Sequence, residues 1–154
     1  MIKDSGQRTE FKSGAVRDVQ EGKGRFDLVP LDVAGKLLKD DVLIGINQFV
    51  RNGYIVYLYG ALGKFAGYEN LTTLLLEVAK HFEEGAKKYQ PRNWEKGIPL
   101  SRYVDSMVRH YLKWLRGDDD EPHDRAFCWN VMCCIWTCEN KPEMNDLPWG
   151  NKDV

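Results

Sequence analysis

The residues of this chain that can do chemistry fall in rows and clusters rather than in one motif. Over LTTLLLEVAKHFEEGAKKY (71–89), Glu77, His81, Glu84 and Lys88 follow one another at i, i+4, i+7 and i+11. At ~100° per residue of a helix they share a stripe about 60° wide. Such a row can hold a metal or exchange protons in a cleft. It can equally be a solvated face joined by Glu77–His81 and Glu84–Lys88 pairs, each worth ~0.2–0.5 kcal/mol. The stripe lies roughly opposite Leu71, Leu75, Val78, Phe82, Ala86 and Tyr89, which favours the solvated alternative for Glu77 and Lys88. A second row, Arg102, Asp105, Arg109, Lys113 and Arg116, lies on the next amphipathic segment. One carboxylate among four cations suits a polyphosphate, with Asp105 placed to hold a metal that bridges to it. The alternative is a surface ladder with Asp105–Arg109 as one i,i+4 pair. His110 falls at the edge of the apolar face beside Tyr103 and Trp114 and reads as a packed core histidine.

Two further clusters flank these rows. Arg17, Asp18, Lys23, Arg25 and Asp27 crowd into GAVRDVQEGKGRFDLVP. Gly22 and Gly24 let backbone amides approach an anion, although the GxxxxGK[ST] spacing of a phosphate loop is absent. A flexible terminus has the same composition. Near the other end, His123 and Asn130 share a stripe with Cys134 and Thr137. Asn130, set among Trp129, Val131 and Met132, reads as buried, so its amide needs partners from another helix or from a ligand. The acidic run from Asp118 to Glu121 lacks the alternating ligands and glycine of a calcium loop and reads as mostly solvated.

The elements that must position these residues are helices. Residues 1–30 show little apolar periodicity and read as an irregular arm. Helical stretches follow at LDVAGKLLKD (31–40) and at DVLIGINQFVRN (41–52), the latter broken by Asn52-Gly53. YIVYLYGALGKFAG (54–67) begins like a strand, but Leu58, Ala61, Leu62 and Phe65 fit a helix better. The helix over 71–89 is followed by one from Pro99 to Gly117 and one over roughly 122–139. The last is apolar nearly all round and belongs at the centre of the fold. The expectation is a single all-α domain over 1–154, a helical bundle with an irregular N-terminal arm. At 154 residues one domain is the default.

Charge and cysteine usage exclude several classes. With 22 basic and 23 acidic residues, the chain is no bulk nucleic-acid coat, and no nucleic-acid partner is expected. No apolar run reaches the ~20 residues of a membrane span. The start MIKDSGQRTEFKSG has no signal-peptide core, so the expectation is a soluble cytoplasmic protein. Cys128, Cys133, Cys134 and Cys138 sit within one apolar segment, and read as reduced, buried small side chains rather than disulfides or a zinc site.

The words SGAVRDVQEGKGRFDLVP (13–30) and FEEGAKKYQPRNWEKGIPLSRYVDSMVRHYLKWLRGDDDEPHDRAFCWN (82–130) resemble the dATP/dGTP diphosphohydrolase family of phages and bacteria. That family is related to the MazG-like all-α nucleoside triphosphate pyrophosphohydrolases. The resemblance implies a Mg²⁺- or Mn²⁺-dependent enzyme cleaving a purine nucleoside triphosphate, dGTP or dATP, to monophosphate and pyrophosphate. It also implies a homo-oligomer, a dimer or tetramer, and a part in shaping a nucleotide pool, in a host cytoplasm if phage-encoded. MazG-like chains carry ExxE on one helix and ExxD on the next. Aligned through Gly117-Asp118-Asp119, only Asp105 keeps an acidic ligand here, and His123 and Ala126 stand at the ExxD positions.

The remaining metal ligands are then sought among Glu77, Glu84, Asp124 and the arm. Glu84, Asp105 and Arg109 are the catalytic candidates, and Arg17, Lys23, Arg25, Lys88, Arg92, Asn93, Trp94, Lys113 and Asn130 the substrate-binding ones. A water activated on a carboxylate-bound ion, with cations neutralising the departing phosphates, would supply the chemistry. The arm, poor in apolar residues, is expected to order only around substrate. Two rivals stand beside this reading. The doublet His123-Asp124, with His81 and Asp146, suggests an HD-type phosphohydrolase that releases triphosphate. A non-catalytic nucleotide-binding helical module is the other.

Overall fold

In the computed structural model, which describes residues 2–151 and the side chains of all of these except residues 68, 69, 150 and 151, helix boundaries follow local chemistry. Helix α1 (Leu31–Leu38) begins directly after Pro30. Asp40 precedes α2 (Asp41–Asn52) in an extended conformation, and its carboxylate accepts the Leu43 N–H at 2.9 Å, satisfying a first-turn donor that has no partner within the helix. Gly53 ends α2 at φ 79°, and a Cβ there would lie 2.4 Å from the Trp149 ring. Glycine is needed both for the backbone and for the close approach.

Helix α3 spans Val56–Lys88 and is broken once, at Gly67 (φ 64°, ψ 148°), a conformation open essentially to glycine alone. The strand-like start of 54–67 thus folds as helix and runs into the 71–89 segment across a kink. Helix α4 (Leu100–Arg116) receives its cap from the far end of the chain: Asp146 accepts the Ser101 N–H at 2.8 Å. Helix α5 (His123–Asn140) packs on both α3 and α4. Phe127, Cys128, Val131 and Cys134 on α5, with Phe49, Tyr103, Met107 and Val108, are inaccessible to solvent, so α5 is the central helix its composition demands. The cysteines are free, and burial pushes the Cys128 thiol up to about 12. No described helix is long and apolar enough to cross a membrane.

Two expectations change. The arm is not irregular throughout: β1 (Arg8–Glu10) and β2 (Val16–Asp18) form an antiparallel hairpin with Thr9 opposite Arg17. Nor is the hairpin a loose tail. Ala15 is fully buried, Phe11 and Phe26 pack against the core, and Ser13 Oγ donates to the Gly97 carbonyl. Strands of three residues carry almost no pattern of their own, so tertiary contacts hold them. The inward face of α3 is also rotated from the expected one. Leu74, Val78 and His81 are buried while Leu75 and Leu76 are 44% and 68% exposed. The polar stripe turns inward because α5 brings Arg125 and Trp129 against Glu84 and His81.

Candidate functional site

A cleft of about 830 Å³ opens between β2 and the segment after it, the C-terminal end of α3, the 90–98 loop, α4 and α5. Arg17 lies at its floor. Its Nη2 donates to Ser106 Oγ at 3.1 Å and to Asn130 Oδ1 at 3.3 Å, and its guanidinium stands 5.6 Å from the ring centres of both Tyr103 and Trp129. Arg109 Nη2 reaches the same Ser106 Oγ at 3.3 Å. Arg17 Nη1 and Arg109 Nη1 are both buried with no hydrogen-bond partner among the described residues. Burial first, and the neighbouring Arg17 charge second, lower Arg109 to about 10. Two guanidiniums sharing one hydroxyl, each with an unspent donor, are costly unless an anion answers them.

Other cations stand around this pair. Arg102 Nη2 donates to the Asp18 carbonyl at 3.2 Å. Lys23 pairs with Asp18 at 2.8 Å, Lys113 stands 3.8 Å from Asp120, and Lys88 Nζ donates to the Lys3 carbonyl at 2.7 Å. All of these cations line the cleft.

Arg92, Asn93, Trp94 and Asn130 also reach it, but three of the four are engaged within the fold. Asn93 Oδ1 accepts the Val16 N–H at 2.9 Å and its Nδ2 donates to the Val16 carbonyl at 2.7 Å, so the amide clamps β2 as a neighbouring strand would. Asn130 Nδ2 donates to the Ala126 carbonyl at 2.8 Å, leaving Oδ1 to hold Arg17. Trp94 packs edge-on against Phe82 and Trp136. Arg92, exposed, pairs with Glu95 at 2.9 Å.

The acidic candidates are placed differently from the expectation. Asp105 is fully buried and outside the cleft lining. It accepts the Asp27 N–H at 2.8 Å and stands 3.4 Å from Arg25 Nε, so Arg25 and Asp27 serve as its partners instead of reaching the cleft. Glu84 accepts from Arg125 Nη2 at 2.6 Å and from the Ile2 N–H at 3.0 Å. Glu77 pairs with Lys80 at 2.7 Å, and Asp124 sits half-buried in the first turn of α5. Among the described residues, no three of Glu77, Glu84, Asp105 and Asp124 bring ligand atoms within 4.8 Å of one another. Glu84 and Asp105 are held by partners on other elements and Glu77 by Lys80 on its own helix, so the four do not converge. The HD-type set fails on the same ground. Asp146 caps α4, and burial, then Arg125, holds His81 down at about 4 beside Trp129.

Ser106 was not among the candidates, and His110, Glu121 and His123 were not read as one group at the α4–α5 junction. His110 is no mere core residue: it lines the cleft, and its Nδ1 meets His123 Nδ1 at 2.9 Å. His123 Nε2 meets Asp120 Oδ1 at 2.7 Å, and Glu121 accepts the Lys3 N–H at 2.9 Å. The acidic loop is therefore partly engaged in the fold. The signal was available in the thirteen-residue separation of two histidines across one helical turnaround, but only folding shows that they meet.

No curated protein and no solved structure matches the chain. The sequence model of one family does, that described as dATP/dGTP diphosphohydrolase, N-terminal, over residues 68–147. That span takes in the C-terminal half of α3, α4, the acidic loop and α5, more than half of the chain and most of the cleft's walls. On that match, the chain belongs to the dATP/dGTP diphosphohydrolase family.

Proposed function

We propose that the protein hydrolyses a purine deoxynucleoside triphosphate, dATP or dGTP, to the monophosphate and pyrophosphate. The observation that carries this reading is the pair of buried guanidiniums, Arg17 and Arg109, each with an N–H left over at Ser106. A triphosphate offers oxygens enough to accept both, and Lys23, Lys88 and Lys113 line the same cleft. In the reaction, water adds to a phosphorus flanking the α–β bridge, the bridging P–O bond breaks, and monophosphate and pyrophosphate separate. The chain's own contribution is to hold and neutralise the phosphates before and during that cleavage, where such preorganised donors act most strongly.

Dependence on Mg²⁺ or Mn²⁺ belongs to the same reading. Of the four carboxylates first assigned to the ion, Glu84 holds α5 through Arg125 and Asp105 holds the arm, while Glu77 pairs with Lys80 on its own helix. A homo-oligomer belongs to it as well, supported by apolar side chains left in solvent on α1 and the first half of α3: Leu37, Leu38, Val56 and Tyr59. Light scattering on the purified protein tests that part, and a monomer at all concentrations would remove it.

Product analysis with a panel of NTPs and dNTPs, with Mg²⁺ and Mn²⁺ in turn, tests the activity. Monophosphate and pyrophosphate from a purine deoxynucleotide are expected. Orthophosphate or triphosphate as the main product would overturn the proposal. Tight nucleotide binding without turnover would identify a non-catalytic module.

A further inference from the structure

We propose that His110, Glu121 and His123 form a site for a divalent transition metal at the α4–α5 end of the cleft. The ligand-bearing atoms of these three residues all lie within 4.8 Å of one another, and they come from two different helices and the loop between them. His123 Nε2 lies 2.7 Å from Asp120 Oδ1. A carboxylate only accepts, so Nε2 carries the proton and Nδ1 presents its lone pair. That is the arrangement in which a carboxylate behind a histidine orients it toward a metal. His123 Nδ1 and His110 Nδ1 are 2.9 Å apart. Two nitrogens each ~2.1 Å from an ion, at right angles around it, would stand roughly 3.0 Å apart. The proton now shared between the rings occupies a place that a cation can take.

The donor set selects the ion. Two imidazoles and one carboxylate suit Mn²⁺, Fe²⁺, Co²⁺ or Zn²⁺, whereas Mg²⁺ and Ca²⁺ favour oxygen donors throughout. Glu121 and His110 both line the cleft, and so do Arg109 and Lys113 on the adjoining turns of α4. An ion held there would face whatever the cleft binds. Its service to a triphosphate rests on the activity proposed above, but the site itself rests on geometry alone. A second grouping, Asp118, Asp120 and His123, uses the other side of the same imidazole. It is the weaker one, because Asp118 is already paired with Arg116 and Asp120 with Lys3.

The test is metal binding by the whole 154-residue chain, read by the visible absorption of Co²⁺ and by titration calorimetry with Mn²⁺ and Zn²⁺. One ion per chain is expected, with the Co²⁺ spectrum showing nitrogen ligation. Glu121→Gln and His110→Asn should each weaken binding by about tenfold or more, as should Asp120→Asn through loss of its hold on His123. Glu84→Gln, Asp105→Asn and Asp118→Asn should bind as the unaltered chain does. Glu121 is half-buried on a loop, so its variant keeps the test meaningful even where a histidine variant unfolds. Absence of binding to the unaltered protein would overturn the proposal. So would unchanged binding in Glu121→Gln, or a loss confined to Asp118→Asn or to the Glu84 and Asp105 variants. Intact binding without nucleotide hydrolysis would leave the site standing and remove the activity.

Discussion

The backbone N–H of Asp27 donates to Asp105 Oδ1 at 2.8 Å, deep enough that Asp105 has no exposed surface. This contact ties the arm to the middle of α4 and places two carboxyl groups side by side. Burial first, and the Asp27 carboxyl second, raise Asp105 to about 7 from an ordinary 3.8. The contact gives Asp105 a part in holding the arm on α4, while its Oδ2 is buried with no hydrogen-bond partner among the described residues.

That shift has a pH signature. Between about 3.8 and about 7 the folded protein holds a proton on Asp105 that the unfolded chain releases. The stability contributed is complete below the lower value and is lost as pH rises through the upper one. Asp105→Asn replaces the protonated carboxyl with a neutral amide of the same shape. Its melting temperature relative to the unaltered protein should therefore improve from pH 5 to pH 8. Parallel melting curves across that range would show that Asp105 ionises freely. Loss of turnover in an Asp105→Asn variant of unchanged stability and oligomeric state would return it to the catalytic residues.

His81 works with the opposite sign. Burial beside Trp129, and then Arg125, depress it to about 4 from 6.5. The unfolded chain binds a proton below 6.5 that the folded one refuses, so stability should fall as pH drops from 6.5 toward 4. Thermal melts of His81→Phe against the unaltered protein check this. The variant should lose less stability over that window, and equal losses would place the acid sensitivity elsewhere.

Arg109→Met keeps the length of the side chain and removes one of the two buried guanidiniums at Ser106. Loss of a preorganised donor to a charged transition state typically costs about 10²-fold or more in rate. Turnover should fall by that order while the melting temperature holds or rises, since a desolvated charge beside Arg17 is relieved. Calorimetry with tripolyphosphate supplies a readout free of chemistry, and should show weaker binding. Unchanged binding would move the phosphate grip to the lysines.

Asn93 is the clamp on β2. Asn93→Ala leaves the Val16 N–H and carbonyl without partners, a loss of about 1–3 kcal/mol for each buried group left unpaired. The hairpin should loosen, which limited proteolysis near Arg8 and Arg17 would reveal, and KM should rise because Arg17 leaves the floor of the cleft. Removal of residues 1–28 should be harsher still. It strips Ala15, Phe11 and Phe26 from the core and uncovers Asp105, so the melting temperature should drop. An unaltered melting temperature would mean that the arm only rests on the bundle.

The all-α architecture, the central place of α5, the break at Gly53 and the cation-rich face of α4 were legible in the chain itself. Each follows from local rules: apolar period, proline and glycine punctuation, and charges spaced by helical turns. The rotation of α3 was not legible, because the helix carries leucines on two faces and the choice between them is made by what α5 presents. Glu84 and His81 turned inward on the strength of Arg125 and Trp129, more than forty residues away. The hairpin was equally hidden, since three-residue strands are held by the Asn93 amide and the Tyr89 hydroxyl rather than by their own sequence. Whether a carboxylate becomes a ligand, a cap or a buried partner depends on which groups desolvate it and which donors reach it. From the sequence Asp105 reads as a ligand on a helix and Asp120 as a solvated loop acid. Only packing makes the first a buried tether for the arm and the second the acceptor that turns His123 toward His110.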